Sequence, residues 1–230
     1  MSTNDRIQGI IASGVIAILP VERGEEVLPA AEAIAEAGGG ALEVVPASLD
    51  LLSAIGQARV HLGRNLLLGV GGIVGGDAAW EVIRAGAAFV ASPHLDPEVL
   101  RFCREEGVPG LPSALTPTEM AHARDLGAEL VKLYPAGAVG PEYVRWTLHA
   151  VPHLGVVAAG GVPLERVGEF VRAGATAVGV EIKIADDTGR QALREIGQRV
   201  RAYADAVERA RGPVAPPAPA VRPIEGPDVR

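Results

Sequence analysis

Short apolar runs alternate with longer stretches of mixed character along most of the chain. The runs fall at 15–19, 41–45, 65–70, 88–91, 109–111, 129–133, 155–158 and 176–179. They are continuous or small-residue runs and not apolar–polar alternations, which is the pattern of parallel strands buried on both faces. Between them lie helix-like stretches such as GEEVLPAAEAIAEA, GDAAWEVIRA, LDPEVLRFCREE, TPTEMAHARDL, GPEYVRWTLHA and PLERVGEFVRA. Gly38, Gly86, Gly107, Gly127 and Gly174 stand where these helices should stop, since a left-handed residue closes a helix before the next strand begins. Pro97, Pro117, Pro141 and Pro163 lie near first-turn positions, where the missing N–H costs nothing. Asp96 and Thr116 are the candidate N-caps before two of them.

Eight strand-then-helix units in little more than 200 residues predict a single-domain (β/α)8 barrel over 1–212. A doubly wound sheet is the competing α/β architecture, but no GxGxxG follows the first strand. The last 18 residues, PVAPPAPAVRPIEGPDVR, carry six prolines. Proline fixes φ and removes a backbone donor, so 213–230 is expected to be a disordered or surface-draped tail. In a barrel of this kind the chemistry sits at the C-terminal ends of the strands, so the residues that end each run are the ones that matter.

Composition narrows the functional classes. The chain has 230 residues, 48% of them hydrophobic, with 21 Lys+Arg against 28 Asp+Glu and a net charge of −7. A net acidic chain argues against non-specific nucleic-acid binding, which needs a basic face. One cysteine, Cys103, allows neither an internal disulfide nor a cysteine metal cage and fits a reducing compartment. No apolar run is long enough to span a bilayer, and MSTNDRIQG lacks the basic and apolar regions of a secretory signal. The expectation is a cytoplasmic protein that engages neither membrane nor nucleic acid.

Two charges interrupt the apolar runs. Lys132 is the lone charge in the apolar stretch Leu130–Leu133. If Val131 and Leu133 face the helices, Lys132 faces the barrel centre. Burial disfavours an ammonium, and a neutral amine can attack a carbonyl to form a Schiff base. The alternative is an amine that reaches water at the mouth or pairs with a carboxylate. Glu43 is the lone carboxylate of 41–45. Near an amine it can move protons as a general acid/base. Its alternative role is a structural ion pair with Lys132.

These residues lie in a text that resembles the 2-keto-3-deoxy-6-phosphogluconate (KDPG) aldolase and 4-hydroxy-2-oxoglutarate (KHG) aldolase family. The resemblance rests on LEV at 42–44, FVASPHLDPEVLRFCREEGVPGLPSALTPTE at 89–119, VKLYPA at 131–136, GGV at 160–162 and AVGV at 177–180. It implies a class I, metal-independent aldolase on a (β/α)8 barrel without a cofactor, assembled as a homotrimer and acting on a small carbonyl compound. It makes Lys132 the Schiff-base lysine and Glu43 the general acid/base. Gly72, Pro93, Thr116, Tyr134, Gly160 and Gly161 fall at substrate-facing positions.

The departures from the family pattern sit at the strand ends. Pro20 and Ala47 stand where the family often has an arginine. A threonine is missing from Gly69-Val70-Gly71-Gly72, and a hydroxyl from Ala158-Ala159-Gly160-Gly161-Val162. The family's phosphate cradle after the eighth strand reads Glu181-Ile182. A like-charge pair about 4 Å apart at an effective dielectric near 20 costs roughly 4 kcal/mol, so a phosphate beside Glu181 is disfavoured. Glu181 is expected either to bind a cationic substrate group or to pair with an Arg or Lys of the protein.

Three readings remain open at this level. The first is an aldolase-type carbon–carbon lyase acting on an unphosphorylated 2-oxo acid or related carbonyl compound. The second is other lysine-imine chemistry: decarboxylation, dehydration or condensation. The third is a non-catalytic oligomeric barrel. Weaker signals add little. The five histidines form no metal-binding spacing, and His94 is expected in solvent. GVGGIVGG at 69–76 lacks the Lys-Ser/Thr of a phosphate loop. Cys103 reads as packing, and Asp186-Asp187 as a cap for the last helix.

Overall fold

The computed structural model describes residues 1–183 and 189–212. The expected tail at 213–230 and the expected Asp186-Asp187 cap lie outside the described residues. The chain enters through helix α1 (Thr3–Ser13) and then alternates strand and helix around a closed, all-parallel ring. The strands are β1 (Val15–Val21), β2 (Ala41–Pro46), β3 (Leu67–Val70), β4 (Val90–Ser92), β5 (Gly110–Ala114), β6 (Leu130–Leu133), β7 (Gly155–Ala158) and β8 (Ala177–Glu181). The helices between them are α2 (Val27–Glu36), α3 (Leu52–Leu62), α4 (Gly76–Arg84), α5 (Pro97–Glu105) and α6 (Pro117–Asp125). They continue with α7 (Ala136–Val139), α8 (Pro141–Ala150) and α9 (Val167–Arg172), and the long α10 (Arg190–Arg211) closes the fold. The strands pair in chain order and β1 pairs β8, which makes this a (β/α)8 barrel in one domain.

Strand alternation divides the side chains into two cores. Leu42, Val44, Val131, Leu133, Val156 and Val178 point outward into one apolar layer shared with the helices. Ile16, Ala41, Leu67, Phe89, Leu111, Leu130, Val157 and Ala177 point inward into a second cluster. Ile7 and Ile10 of α1 belong to that inner cluster, so α1 plugs the N-terminal floor of the barrel. A capping box between Ser2 and Asp5 starts this plug. At its far end the Arg211 guanidinium donates to the carbonyls of Ile11, Ala12 and Thr176, tying α10 to the floor.

The expected helix punctuation holds. Asp96 and Thr116 are N-caps, and Pro97, Pro117 and Pro141 each stand at a first-turn position. Pro163 instead precedes a short 3-10 turn. The five helix-stopping glycines all have positive φ. Strand ends differ from expectation by a few residues, for local reasons. The Asn65 amide donates back to the Leu62 carbonyl at 3.1 Å, closing α3, so β3 starts only at Leu67. Strand β5 runs on through Pro112, because Ser113 and Ala114 pair with Lys132 and Leu133. Strands β1 and β8 extend to Val21 and Glu181, giving the mouth a raised rim on that side.

Candidate active site

Inward positions at the C-terminal half of the barrel carry the polar groups. On β6 the alternation that sends Leu130 inward and Val131 and Leu133 outward leaves Lys132 facing the axis. On β2 it does the same for Glu43, between outward Leu42 and Val44. In a ring of eight, β2 and β6 are diametrically opposed. The two side chains meet across the barrel, with Lys132 Nζ donating to Glu43 Oε1 at 2.8 Å and to Oε2 at 2.9 Å. Lys132 is 7% exposed and Glu43 2%. The lysine therefore pairs with a carboxylate, as one of the sequence alternatives held.

A buried pair of this kind is weak evidence for stability. Desolvating both charges offsets much of their attraction, and apolar replacements of similar volume are often neutral or stabilising. A chain that keeps the pair in an otherwise apolar interior keeps it for something else.

Gly71 makes the pair possible. It takes the inward position just beyond β3, and its amide donates to the Val44 carbonyl at 2.8 Å, which holds it against β2. A Cβ at Gly71 would overlap the Glu43 carboxylate. Sequence reasoning chose the neighbouring Gly72, where a Cβ would come within 3.2 Å of Val45 Cγ1. The signal for Gly71 was parity: Leu67 faces inward, so 69 and 71 do as well. Ser113 was also missed. It is inward and buried on β5, in register with Lys132, with its hydroxyl donating to the Ser92 carbonyl at 2.8 Å.

The remaining expected positions fall in different surroundings. Tyr134 is half-exposed, one inward step above Lys132, and its ring lies where a Cβ at Gly160 would be. Gly160 and Gly161 both have positive φ, and the Gly160 carbonyl accepts from the Gly137 amide at 2.8 Å, which laces the β6 and β7 ends together. Pro93 and His94 are exposed at the end of β4. The Thr116 hydroxyl is committed to helix capping: it accepts from the Glu119 amide at 3.3 Å and donates to the Glu119 carboxylate at 2.9 Å. Cys103 is buried, and burial pushes its thiol up to about 12, which makes it inert.

Glu181 ends β8 on an inward position, in register with Ile18, and is exposed at the mouth. It forms no ion pair among the described residues, so the expected internal partner is not found there. It borders a cleft of about 210 Å³ with Gly161, Arg199 and Tyr203. Burial is the main cause that pushes the Tyr203 phenol upward, and the charge of Glu181 adds to it. The Tyr203 hydroxyl donates to the Val162 carbonyl at 3.0 Å and anchors α10 to the loop after β7.

A larger cavity of about 720 Å³ opens over the ends of β1, β2 and β8. Its wall includes Pro20 and Val45, each the next inward position beyond Ile18 and Glu43. Glu43 lies one layer below its lining on β2. At its rim the Glu26 carboxylate accepts from the amides of Glu22 and Arg23 and from the Arg23 guanidinium. Burial pulls the Glu26 carboxyl upward, but those hydrogen bonds outweigh it and hold it below the usual range.

The family model for KDPG and KHG aldolase matches residues 7–198 of this sequence. The chain belongs to that family. It is 33% identical over 159 residues to a 2-dehydro-3-deoxy-phosphogluconate aldolase of Treponema pallidum, covering 68% of this chain and 75% of the relative. It is 27% identical over 197 residues to a 2-dehydro-3-deoxy-6-phosphogalactonate aldolase of Escherichia coli, covering 84% and 96%. A solved structure of native KDPGal superposes with a TM-score of 0.78 at 25% identity, over 85% of this chain and 95% of that one. Membership of the KDPG and KHG aldolase family makes this barrel a lyase of the class I, Schiff-base aldolase type. No described helix is long and apolar enough to cross a membrane.

Proposed function

We propose that Lys132 forms the Schiff base and Glu43 moves the protons of an aldol cleavage on an unphosphorylated 2-oxo acid. The observation that carries this is the bidentate contact of Lys132 with Glu43, buried at the active end of the barrel. The contact gives the ammonium an acceptor for its proton. Once Nζ has given a proton to Glu43, its lone pair attacks the substrate C2 carbonyl. The carbinolamine loses its hydroxyl as water, taking a proton back from Glu43, and becomes an iminium. Cleavage of the C3–C4 bond then sends its electron pair to the iminium, forming the enamine, while the C4 hydroxyl gives its proton to Glu43 and the C4 fragment leaves as an aldehyde. Protonation of the enamine and attack by water release the 2-oxo acid and restore the amine. None of these steps calls for a metal or a cofactor.

Glu181 supports the exclusion of phosphate. Its carboxylate stands at the mouth without an ion-pair partner among the described residues, where a dianion would meet it directly. For the assembly we propose the homotrimer implied by the family resemblance, working in the cytoplasm. Sedimentation velocity tests the assembly. The central test is reductive trapping: borohydride with pyruvate should add a stable adduct whose mass maps to Lys132, and Lys132→Met should abolish it. An adduct elsewhere, or none with any 2-oxo acid, overturns the assignment.

A further inference from the structure

We propose that the Tyr134 hydroxyl binds the carboxylate of the 2-oxo acid substrate. This rests on the reading of Lys132 as the imine-forming residue and adds what holds the acid end beside it. Tyr134 continues the inward row of β6, in which Leu130 and Lys132 face the axis. Its amide donates to the Ala114 carbonyl at 3.1 Å, so the pairing of β5 with β6 extends to this residue. Two residues of strand rise about 6.5 Å, which sets Tyr134 above Lys132 on the way to solvent.

The ring is held in place and its hydroxyl is unused. The ring lies where a Cβ at Gly160 would be, and Gly160 has a φ of 82°, which favours glycine. The Ala136 and Gly137 amides donate to the Ala159 and Gly160 carbonyls at 2.7 and 2.8 Å, which keeps that glycine against the β6 end. Of the three tyrosines in the chain, Tyr143 donates to the Leu115 carbonyl at 2.8 Å and Tyr203 to the Val162 carbonyl at 3.0 Å. The Tyr134 hydroxyl has no hydrogen-bond partner among the described residues, and its side chain is half-exposed at the mouth.

A carboxylate drawn into the mouth needs donors in place of water. The same inward parity carried to the ends of the other strands gives Pro20, Val45, Gly71, Pro93, Leu115 and Ala159, with Glu181 on β8. None of these side chains has a hydrogen to donate at neutral pH, and Glu181 repels an anion. Arg23 and Lys183 follow β1 and β8 further out: Arg23 is taken up by Glu25 and Glu26, and Lys183 is exposed. Tyr134 is the one side chain at these positions that can donate to the acid group, and β7 stands between it and Glu181.

The experiment compares two probes of Lys132 by borohydride trapping: pyruvate, and methyl pyruvate, which has the same C2 carbonyl without the carboxylate charge. Second-order labelling rates are measured for both on the parent and on Tyr134→Phe, which keeps the ring over Gly160 and removes the donor. The pyruvate-to-methyl-pyruvate ratio should fall by about ten- to a hundredfold in Tyr134→Phe, the factor of one hydrogen bond to a charged group. Most of that fall should appear as a higher half-saturating pyruvate concentration. Both probes meet the same sample, so the folded fraction cancels from the ratio. A ratio unchanged by Tyr134→Phe, including equal loss for both probes, overturns this inference and leaves the function standing. No labelling of Lys132 in the parent overturns the function and this inference with it.

Discussion

Glu43 and Lys132 are buried together and hold each other through a two-oxygen contact. Removing one partner of a buried pair costs about 3–5 kcal/mol, because the other is left uncompensated. Glu43→Ala should therefore lower the unfolding free energy by about that much in urea titrations, whereas Glu43→Leu with Lys132→Met should recover most of it. The double variant should be folded and without activity, which separates the stabilising role of the pair from its chemistry. A double variant as unstable as Glu43→Ala would mean that the pair itself holds the barrel together. Both residues were legible in the sequence because each is the lone charge in an apolar run and strand parity fixes where it points. Gly71 was not, since its need for a missing Cβ is set by a carboxylate on the adjacent strand. Thr116 carries two readings at once. The same threonine satisfies a cap and a substrate wall in sequence, and only the hydrogen bonds to Glu119 show that its hydroxyl is occupied.

Helix starts link these side chains to the elements that carry them. Asp96 caps α5 by accepting from the amides of Glu98 and Val99, and it also accepts from Gly75 at 2.8 Å, just before α4. Burial pulls its carboxyl upward, but the three amide hydrogen bonds prevail and hold it below the usual carboxylate value. A carboxyl depressed in the folded state contributes stability above its unfolded pKa of about 3.9 and loses it as pH falls through the depressed value. Asp96→Asn keeps a capping oxygen but no charge. It should be less stable than the parent at pH 7, and the gap should shrink steadily below about pH 4 in chemical denaturation. A gap that stays constant on acidification would show that the charge of Asp96 contributes nothing. Such caps were readable in advance because Asp-Pro and Thr-Pro precede helical text. The strand ends were less so: β1, β5 and β8 extend as far as a neighbouring strand offers a partner, and a single strand does not contain that information.

Across the whole molecule the barrel separates stability from chemistry along its axis. The floor is apolar and closed by Ile7 and Ile10 of α1, while the mouth carries Lys132, Glu43, Tyr134 and Glu181. The alternating pattern predicted the ring and the end at which the chemistry sits. It did not predict the plug, although Ser2 and Asp5 form a capping box and Ile7, Ile10 and Ile11 fall at helical spacing. An N-terminal helix outside the eightfold repeat has no strand to announce it. The separation can be tested at Ile10, which is fully buried among floor residues. Ile10→Ala removes apolar volume from this buried layer, and such changes cost about 2–5 kcal/mol. At about 2–4 °C per kcal/mol for a domain of this size, the melting temperature should fall by roughly 4–20 °C. Well below that transition, pyruvate labelling of Lys132 should stay within twofold of the parent, because the inner apolar layer isolates the mouth from the floor. A loss of labelling in the folded variant would mean that the floor sets the position of the amine, and the two ends of the barrel would then be one mechanical unit.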